Sequence, residues 1–414
     1  MLKSRPVNAG LSTAVRDRWF GPQALARSAL GRSLSISLLL LPLLLFAGSD
    51  SFRFAWLSDT HVGSANADEY LRAAVSDINS MTGLSFVLVA GDVTEYGSRE
   101  QLRLAKEIMN GLTIPCHVIP GNHDTKWSAS GGTDFGRFWG QDRFAFDGGG
   151  FRFIGLHEGP LMKMGDGHWA PQDVRWLEKT LRHLKYRNQP IIFVTHYPID
   201  DGIANWYAVL DLLKRYNTQV VLCGHGHSNR KLLFEGLPGV MGRSSLGTAK
   251  VQPGFNLVEV KDGRMTFCER ITGRETRTAW LHVTLGKANY AKSRRDWPRP
   301  DFSINDRYPQ VKEHWTCETG YTIAGSPALW NKCVIVADTS GTIRALSLKN
   351  GKSLWHFKTG HAVCSTPAIA QDLVVCPSTD GNIYALRAAN GKLVWRVSTP
   401  RPIVASPAIS DETV

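Results

Sequence analysis

No two of the seven cysteines stand in Cys-x-x-Cys spacing; they are scattered at 116, 223, 268, 317, 333, 364 and 376. An odd, dispersed set excludes a complete disulfide framework, although one or two bridges stay open to an exported protein. Cys116 and Cys223 begin or end apolar runs and read as buried thiols. Acidic residues are also short, with 36 Asp and Glu against 48 Lys and Arg, a formal charge of +12. That excess does not describe a nucleic-acid-binding face. Residues 1–33 hold six basic side chains against Asp17 alone, and a second basic group falls in 287–299. Tails and connectors carry the charge, so no nucleic-acid partner is expected. Long apolar stretches are scarce as well. The outstanding run, residues 34–46, is broken by Ser35, Ser37 and Pro42. It is short for a spanning helix, and no cysteine follows it to support a lipoprotein anchor.

What is there at the N-terminus reads as export. A basic region precedes the apolar run, and Ala47-Gly48-Ser49 places small residues where a signal peptidase cuts. The expectation for residues 1–49 is a signal peptide, with an uncleaved anchor as the alternative, and for the protein a periplasmic, envelope or extracellular place. The basic region is long for a signal peptide, which points to a start codon assigned too far upstream. At 414 residues, 43% hydrophobic and 20% charged, the chain is globular and long enough for two or three domains.

Apolar runs and helical periods then alternate. Strand-like runs end at Leu57, Ala90 and Ile119, and helical patterns over 68–81 and 98–110 separate them, with Ser98 as a cap. This βαβαβ order implies a parallel sheet with helices outside. Residues 125–150, rich in Gly and aromatics, read as an irregular loop. Strands at 151–156, 191–195 and 220–223 alternate with helices at 171–186 and 204–216. Residues 230–270 read as antiparallel strands with turns at Leu237-Pro238-Gly239 and Lys261-Asp262-Gly263. The domain is expected over 52–285, followed by a linker over 286–312.

From 313 to 414 a repeat appears. Trp315, Trp355 and Trp395 are 40 apart, as are Pro327, Pro367 and Pro407, Gly341 and Gly381, and Gly351 and Gly391. Asn350-Gly351 and Asn390-Gly391 between apolar runs signal hairpins. Four short strands at this period make a β-propeller blade. The repeats resemble the pyrroloquinoline-quinone-type propeller family. About two blades fit, whereas closed propellers need roughly four to eight, so the expectation is an incomplete all-β segment from a longer protein.

Each of the earlier strands ends in polar residues of a particular kind: Asp59-x-His61, Gly91-Asp92, Asn122-His123-Asp124, His196 and Gly224-His225-x-His227. In open α/β sheets ligands gather at these strand ends. Gly121 permits a sharp turn before Asn122. The five stretches, in this order, resemble the calcineurin-like metallophosphoesterase superfamily over residues 52 to about 270. The resemblance implies a fold class of α/β type, a β-sandwich flanked by helices. It implies two divalent ions, with Asp92 bridging them and giving one oxygen to each. Asp59, His61 and His227 would hold one; Asn122, His196 and His225 the other. A donor set of N and O without thiolate suits Mn, Fe or Zn, and four His ligands disfavour Mg. A metal-bridging hydroxide would attack the phosphoester substrate. His123, not a ligand in the family, would protonate the leaving oxygen, with Asp124 orienting it.

The stretch from Leu57 to His61 and the Gly91-Asp92-Val93-Thr94-Glu95 run are similar to the cyclic-nucleotide phosphodiesterase-like branch. Purple acid phosphatases carry Tyr three residues after the bridging Asp, where this chain has Glu95. Arg243 is read as a surface residue, with a substrate-phosphate contact as the alternative. Two other functions stay open: an envelope binding or scaffold protein whose propeller recognises a partner, and, ranked last, a quinone-dependent dehydrogenase.

Overall fold

The computed structural model describes residues 51–159, 166–410 and 413. The expected signal segment at 1–49 lies outside the described residues. The chain runs β1 (Phe52–Leu57), α1 (Ala67–Ser80), β2 (Leu84–Ala90), α2 (Arg99–Met109) and β3 (Cys116–Ile119), then α3 (Asn122–Lys126) and α4 (Thr133–Trp139). It continues through β4 (Phe144–Gly148), β5 (Phe151–Gly155), α5 (Pro171–Arg182), β6 (Ile191–Val194), α6 (Trp206–Leu213) and β7 (Thr218–Cys223). A hairpin of β8 (Arg230–Phe234) and β9 (Leu237–Met241) follows, then a meander of β10 (Gly254–Lys261), β11 (Arg264–Ile271) and β12 (Thr276–Thr284).

Two six-stranded sheets form, ordered β12-β11-β10-β1-β2-β3 and β4-β5-β6-β7-β9-β8. Strand alternation explains their stacking. In β1, Phe54 and Trp56 face one way, into a cluster with Phe86, Leu88, Phe153, Ile192, Val194 and Leu222 between the sheets. Ala55 and Leu57 face the other way, onto Leu71, Ile78, Leu102 and Ile108 of α1 and α2. The second sheet repeats this, with Ile191, Phe193 and Val221 packed against Leu177, Val209 and Leu213 of α5 and α6. Strands buried on both faces read as continuous apolar runs rather than alternating ones. The result is the expected helix-flanked β-sandwich.

Several local readings change. Residues 125–150 are not irregular: they hold the end of α3, all of α4, and β4, which pairs antiparallel with β5. Leu237-Pro238-Gly239 is no turn but the start of β9. The turn is Glu235-Gly236, both at positive φ (48° and 93°), as a tight hairpin demands. Pro238 is tolerated because the β7 ladder begins only at Gly239. The capping of α2 by Ser98, which accepts from Gln101 N–H, is as read. The basic stretch after 286 is not simply solvated: Tyr290 and Trp297 pack on the α5/α6 core, and Arg299 donates to Asp211 and Glu235. All seven cysteines are free.

The C-terminal region forms two four-stranded antiparallel sheets. The first comprises β13 (Ala328–Trp330), β14 (Cys333–Ala337), β15 (Thr342–Ser347) and β16 (Ser353–Lys358). The second comprises β17 (Ala368–Ala370), β18 (Leu373–Pro377), β19 (Asn382–Arg387) and β20 (Leu393–Ser398). They stack through Ile335, Ile343 and Trp355 against Val374, Tyr384 and Leu386. The period of 40 has a physical basis. Trp315 Nε1 donates to Leu348 O and Trp355 Nε1 to Ala388 O, each at 2.8 Å. Each indole also lies where a Cβ on Gly351 or Gly391 would stand, 2.5 Å from a ring atom. Each Trp therefore covers the Asn-Gly turn of the following unit. No described helix is long and apolar enough to cross a membrane.

Candidate metal centre

The parallel strands β1, β2 and β3 of one sheet and β6 and β7 of the other end at a common rim, and all the strand-end stretches meet there. Backbone hydrogen bonds join the loops: Asp59 N–H to Gly91 O (3.0 Å), His61 N–H to Asp92 O (2.9 Å) and Gly224 N–H to His196 O (2.9 Å). Five of the residues, Asp59, His61, Asp92, His225 and His227, have φ between 44° and 68°. Side chains other than Gly seldom occupy this region, and such strain concentrates where function over-determines the backbone.

Three groups of candidate ligands result, with ligand atoms within 4.8 Å of one another: Asp59, His61 and His227; His61, Asp92 and His123; Asp92, His196 and His225. His227 Nε2 is 3.3 Å from Asp59 Oδ1 and 3.3 Å from His61 Nε2. His196 Nε2 lies 3.1 Å from Asp92 Oδ2 and 3.1 Å from Asn122 Oδ1. His61 Nε2 is 3.8 Å from the same Oδ2. One oxygen of Asp92 therefore faces both halves of the site. The other, Oδ1, accepts from His123 N–H at 2.8 Å.

The imidazoles are turned so that Nε2 points inward. His61 gives Nδ1 to Glu95 Oε2 (2.9 Å) and His196 gives Nδ1 to Ala90 O (2.8 Å). This outer-shell orientation is typical of metal-ligating histidines. The Nε2 atoms of His61, His196 and His227 converge with buried carboxylates, and no Lys or Arg donates to any of the seven candidate ligands among the described residues. Such a donor set fits divalent cations. Burial opposes charge on His196, but the Asp92 carboxylate beside it outweighs this and lifts its pKa to about 10. His225 is pushed down to about 4 by desolvation and by His196. Asp92 is held well below the usual carboxylate range by His196 and His61 despite its burial.

Glycine is required at two positions by close approach. A Cβ on Gly121 would stand 2.2 Å from Asp92 Oδ1, although its φ of −109° is ordinary. The sharp-turn argument for Gly121 therefore gives way to a contact argument. Gly91 combines positive φ (84°) with His196 Nδ1 2.5 Å from its Cβ position.

Asp124 does not orient His123. Its carboxylate accepts from Gly121 N–H (2.9 Å), Val93 N–H (2.9 Å), Thr94 N–H (2.8 Å) and Thr94 Oγ1 (2.6 Å), tying the β2 and β3 loops together. Burial and the Asp92 charge push it up to about 6 against those donors. His123 Nδ1 meets the carbonyl of Glu95 at 2.8 Å instead, and its ring stands edge-on to His61 at 4.6 Å. Glu95 thus holds His61 by its side chain and His123 by its backbone. Its place three residues after Asp92 was visible in the sequence, but its two contacts were not. Arg243 is neither a surface residue nor a phosphate contact: it is 5% exposed and bonded to Glu269 and to the carbonyls of Ser244 and Gln252.

Two sheets whose strand ends gather N and O donors around paired cation positions define a metal-dependent hydrolase. Residues 52–229 match the family model of the calcineurin-like phosphoesterases, and the domain is metallophosphoesterase-like. Residues 309–414 match the model described as outer membrane protein assembly factor BamB. The glycerophosphodiester phosphodiesterase GpdQ of Enterobacter lignolyticus is 28% identical over 197 residues, 42% of this chain and 70% of its own. A second GpdQ, from Arcobacter nitrofigilis and described as probable, is 27% identical over 195 residues, 41% and 70%. A dimetal phosphatase from Danio rerio superposes with a TM-score of 0.47 and 16% identity, over 57% of this chain and 99% of its own.

Proposed function

We propose that the domain hydrolyses phosphodiesters with two bound divalent ions from among Mn, Fe and Zn. The observation that carries this reading is the position of Asp92 Oδ2 between the two ligand groups. Asp59, His61 and His227 would hold one ion, and Asn122, His196 and His225 the other. Bound there, the ions would neutralise phosphate charge and lower the pKa of a water. The chain's own groups favour a diester over a monoester. Asp59, Asp92 and Glu95 bring negative charge to the rim, and among the described residues no Arg or Lys donates to the ligand set to balance a dianion. Both GpdQ relatives are named for glycerophosphodiester hydrolysis.

His123 supplies the proton. With Nδ1 donated to Glu95 O, Nε2 is the nitrogen left to face the substrate. In the imidazolium form it passes that proton to the departing alkoxide. The propeller-like segment serves on this reading as a protein-recognition module, and an envelope or exterior location goes with it.

The test is hydrolysis of bis-(4-nitrophenyl) phosphate and 4-nitrophenyl phosphate by protein loaded in turn with Mn, Fe or Zn. The diester should be preferred, and activity should vanish in Asp92→Ala and His225→Ala. Preference for the monoester would overturn the substrate assignment; no hydrolysis of either would overturn the whole reading.

A further inference from the structure

One buried carboxylate beside the metal centre belongs neither to the ligand set nor to the loop ties made by Asp124. Glu158 stands just beyond the end of β5 and is fully buried. Among the described residues no Lys or Arg pairs with it. A carboxylate taken out of water without such a partner needs strong donors in fixed places, and Glu158 has two. Its Oε2 accepts from Thr195 Oγ1 at 2.5 Å, and its Oε1 accepts from Tyr197 N–H. Those donors belong to the residues on either side of His196.

The clasp is anchored at both ends. β5 and β6 run parallel, and Leu156 N–H donates to Val194 O at 3.0 Å. The chain leaving β5 therefore lies beside the chain leaving β6, and the Glu158 side chain crosses from the first to the second. Its own backbone is fixed as well, since its carbonyl accepts from His168 N–H at 2.8 Å. On the far side, Thr195 N–H donates to Leu222 O (3.0 Å) and Gly224 N–H to His196 O (2.9 Å). Thr195, His196 and Tyr197 are all buried, so water does not compete for these contacts.

Two separate constraints then act on His196. Ala90 O takes Nδ1 at 2.8 Å and sets the direction of the ring. Glu158 holds the backbone from which the ring hangs. Neither replaces the other. A ring bonded at Nδ1 on a loose segment still carries Nε2 away from Asp92 Oδ2 and Asn122 Oδ1, each 3.1 Å from it. The group of Asp59, His61 and His227 makes no hydrogen bond to Glu158, Thr195 or Tyr197 among the described residues.

We propose that Glu158 is a positioning residue for the ion held by Asn122, His196 and His225, fixing the segment that carries His196; the assignment rests on the two-ion reading above. Calorimetric titration of the metal-free full chain with Zn or Mn tests it. The native protein should show two binding steps. Glu158→Ala should weaken one of them by about 10–100-fold, the usual cost of losing an outer partner of a ligand, and leave the other unchanged. Thr195→Val, which removes one contact and nearly preserves volume, should weaken the same step to a smaller extent. Glu158→Gln keeps an acceptor for Tyr197 N–H and offers Thr195 Oγ1 an amide donor, so it should restore most of the loss. In a His227→Ala background the remaining step should still be weakened by Glu158→Ala; in a His225→Ala background the remaining step, that of the other ion, should not change. Equal losses in the two backgrounds would overturn the assignment and leave the two-ion reading standing. So would native affinities in both Glu158→Ala and Thr195→Val, even with a lowered melting temperature, which would mark Glu158 as a support of the fold alone. Native protein that takes up no ion would overturn both.

Discussion

Replacing Glu95 by Gln separates two tasks that the structure assigns to one residue. The side chain accepts from His61 Nδ1 at 2.9 Å, and the backbone carbonyl accepts from His123 Nδ1 at 2.8 Å. The substitution alters the first contact and removes the charge that Oε1 places 3.8 Å from His123 Nδ1, but it leaves the backbone contact. A carboxylate acceptor makes a hydrogen bond roughly twice as strong as a neutral one, and losing such an outer-shell partner costs about 10–100-fold in metal affinity. That is about 1.4–2.7 kcal/mol. Only the group of Asp59, His61 and His227 is touched, because His196 is held by Ala90 O. Calorimetric titration of metal-free protein with Zn or Mn should show one of two binding steps weakened by that factor and the other unchanged. At saturating metal, kcat should change little. Two wild-type affinities would refute the orienting role. A hundredfold fall in kcat at saturating metal would instead put Glu95 in the chemistry.

His123→Ala should lower kcat by about 10²–10⁴, the usual contribution of a general acid, while elemental analysis shows the native metal content. The loss should shrink for esters with a good leaving group such as 4-nitrophenolate; equal loss for alkyl and aryl esters would argue against proton donation. Glu235, buried between Lys214 (2.6 Å) and Arg299 (2.7 Å), has its carboxyl drawn down to about 2 from an ordinary 4.5 by those two cations, against its desolvation. A depressed pKa stabilises the fold above pH 4.5 and loses that contribution as pH falls from 4.5 through 2, a span worth roughly 3 kcal/mol. Glu235→Gln should therefore melt lower at pH 7 and lose part of the native acid sensitivity over that interval; an unchanged melting profile against pH would contradict it.

Much of this was legible because it follows from local periodicity and spacing. Runs buried on both faces announce parallel strands, so the sandwich and the strand-end positions of Asp59, Asp92, Asn122, His196, His225 and His227 could be read without coordinates. The 40-residue spacing of Trp315, Trp355 and Trp395 likewise announces blades, since a repeated contact needs a repeated residue. Misreadings arose where a local signal competes with a distant partner. Pro238-Gly239 looks like a turn until β7 and β8 claim the segment as a strand. Arg243 looks like a surface side chain until Glu269 and two carbonyls enclose it.

The sequence by itself determined which side chains stand at strand ends, because residue order and a period of two or 3.6 are properties of the chain. Tertiary structure decided what those side chains do for one another. Only the folded chain turns one oxygen of Asp92 toward both ligand groups, gives Asp124 to the loop backbone rather than to His123, and brings Glu95 to two imidazoles at once. Hydrogen-bond partners are chosen by angles and tenths of an ångström between segments that lie far apart along the chain, and residue spacing carries no record of those distances.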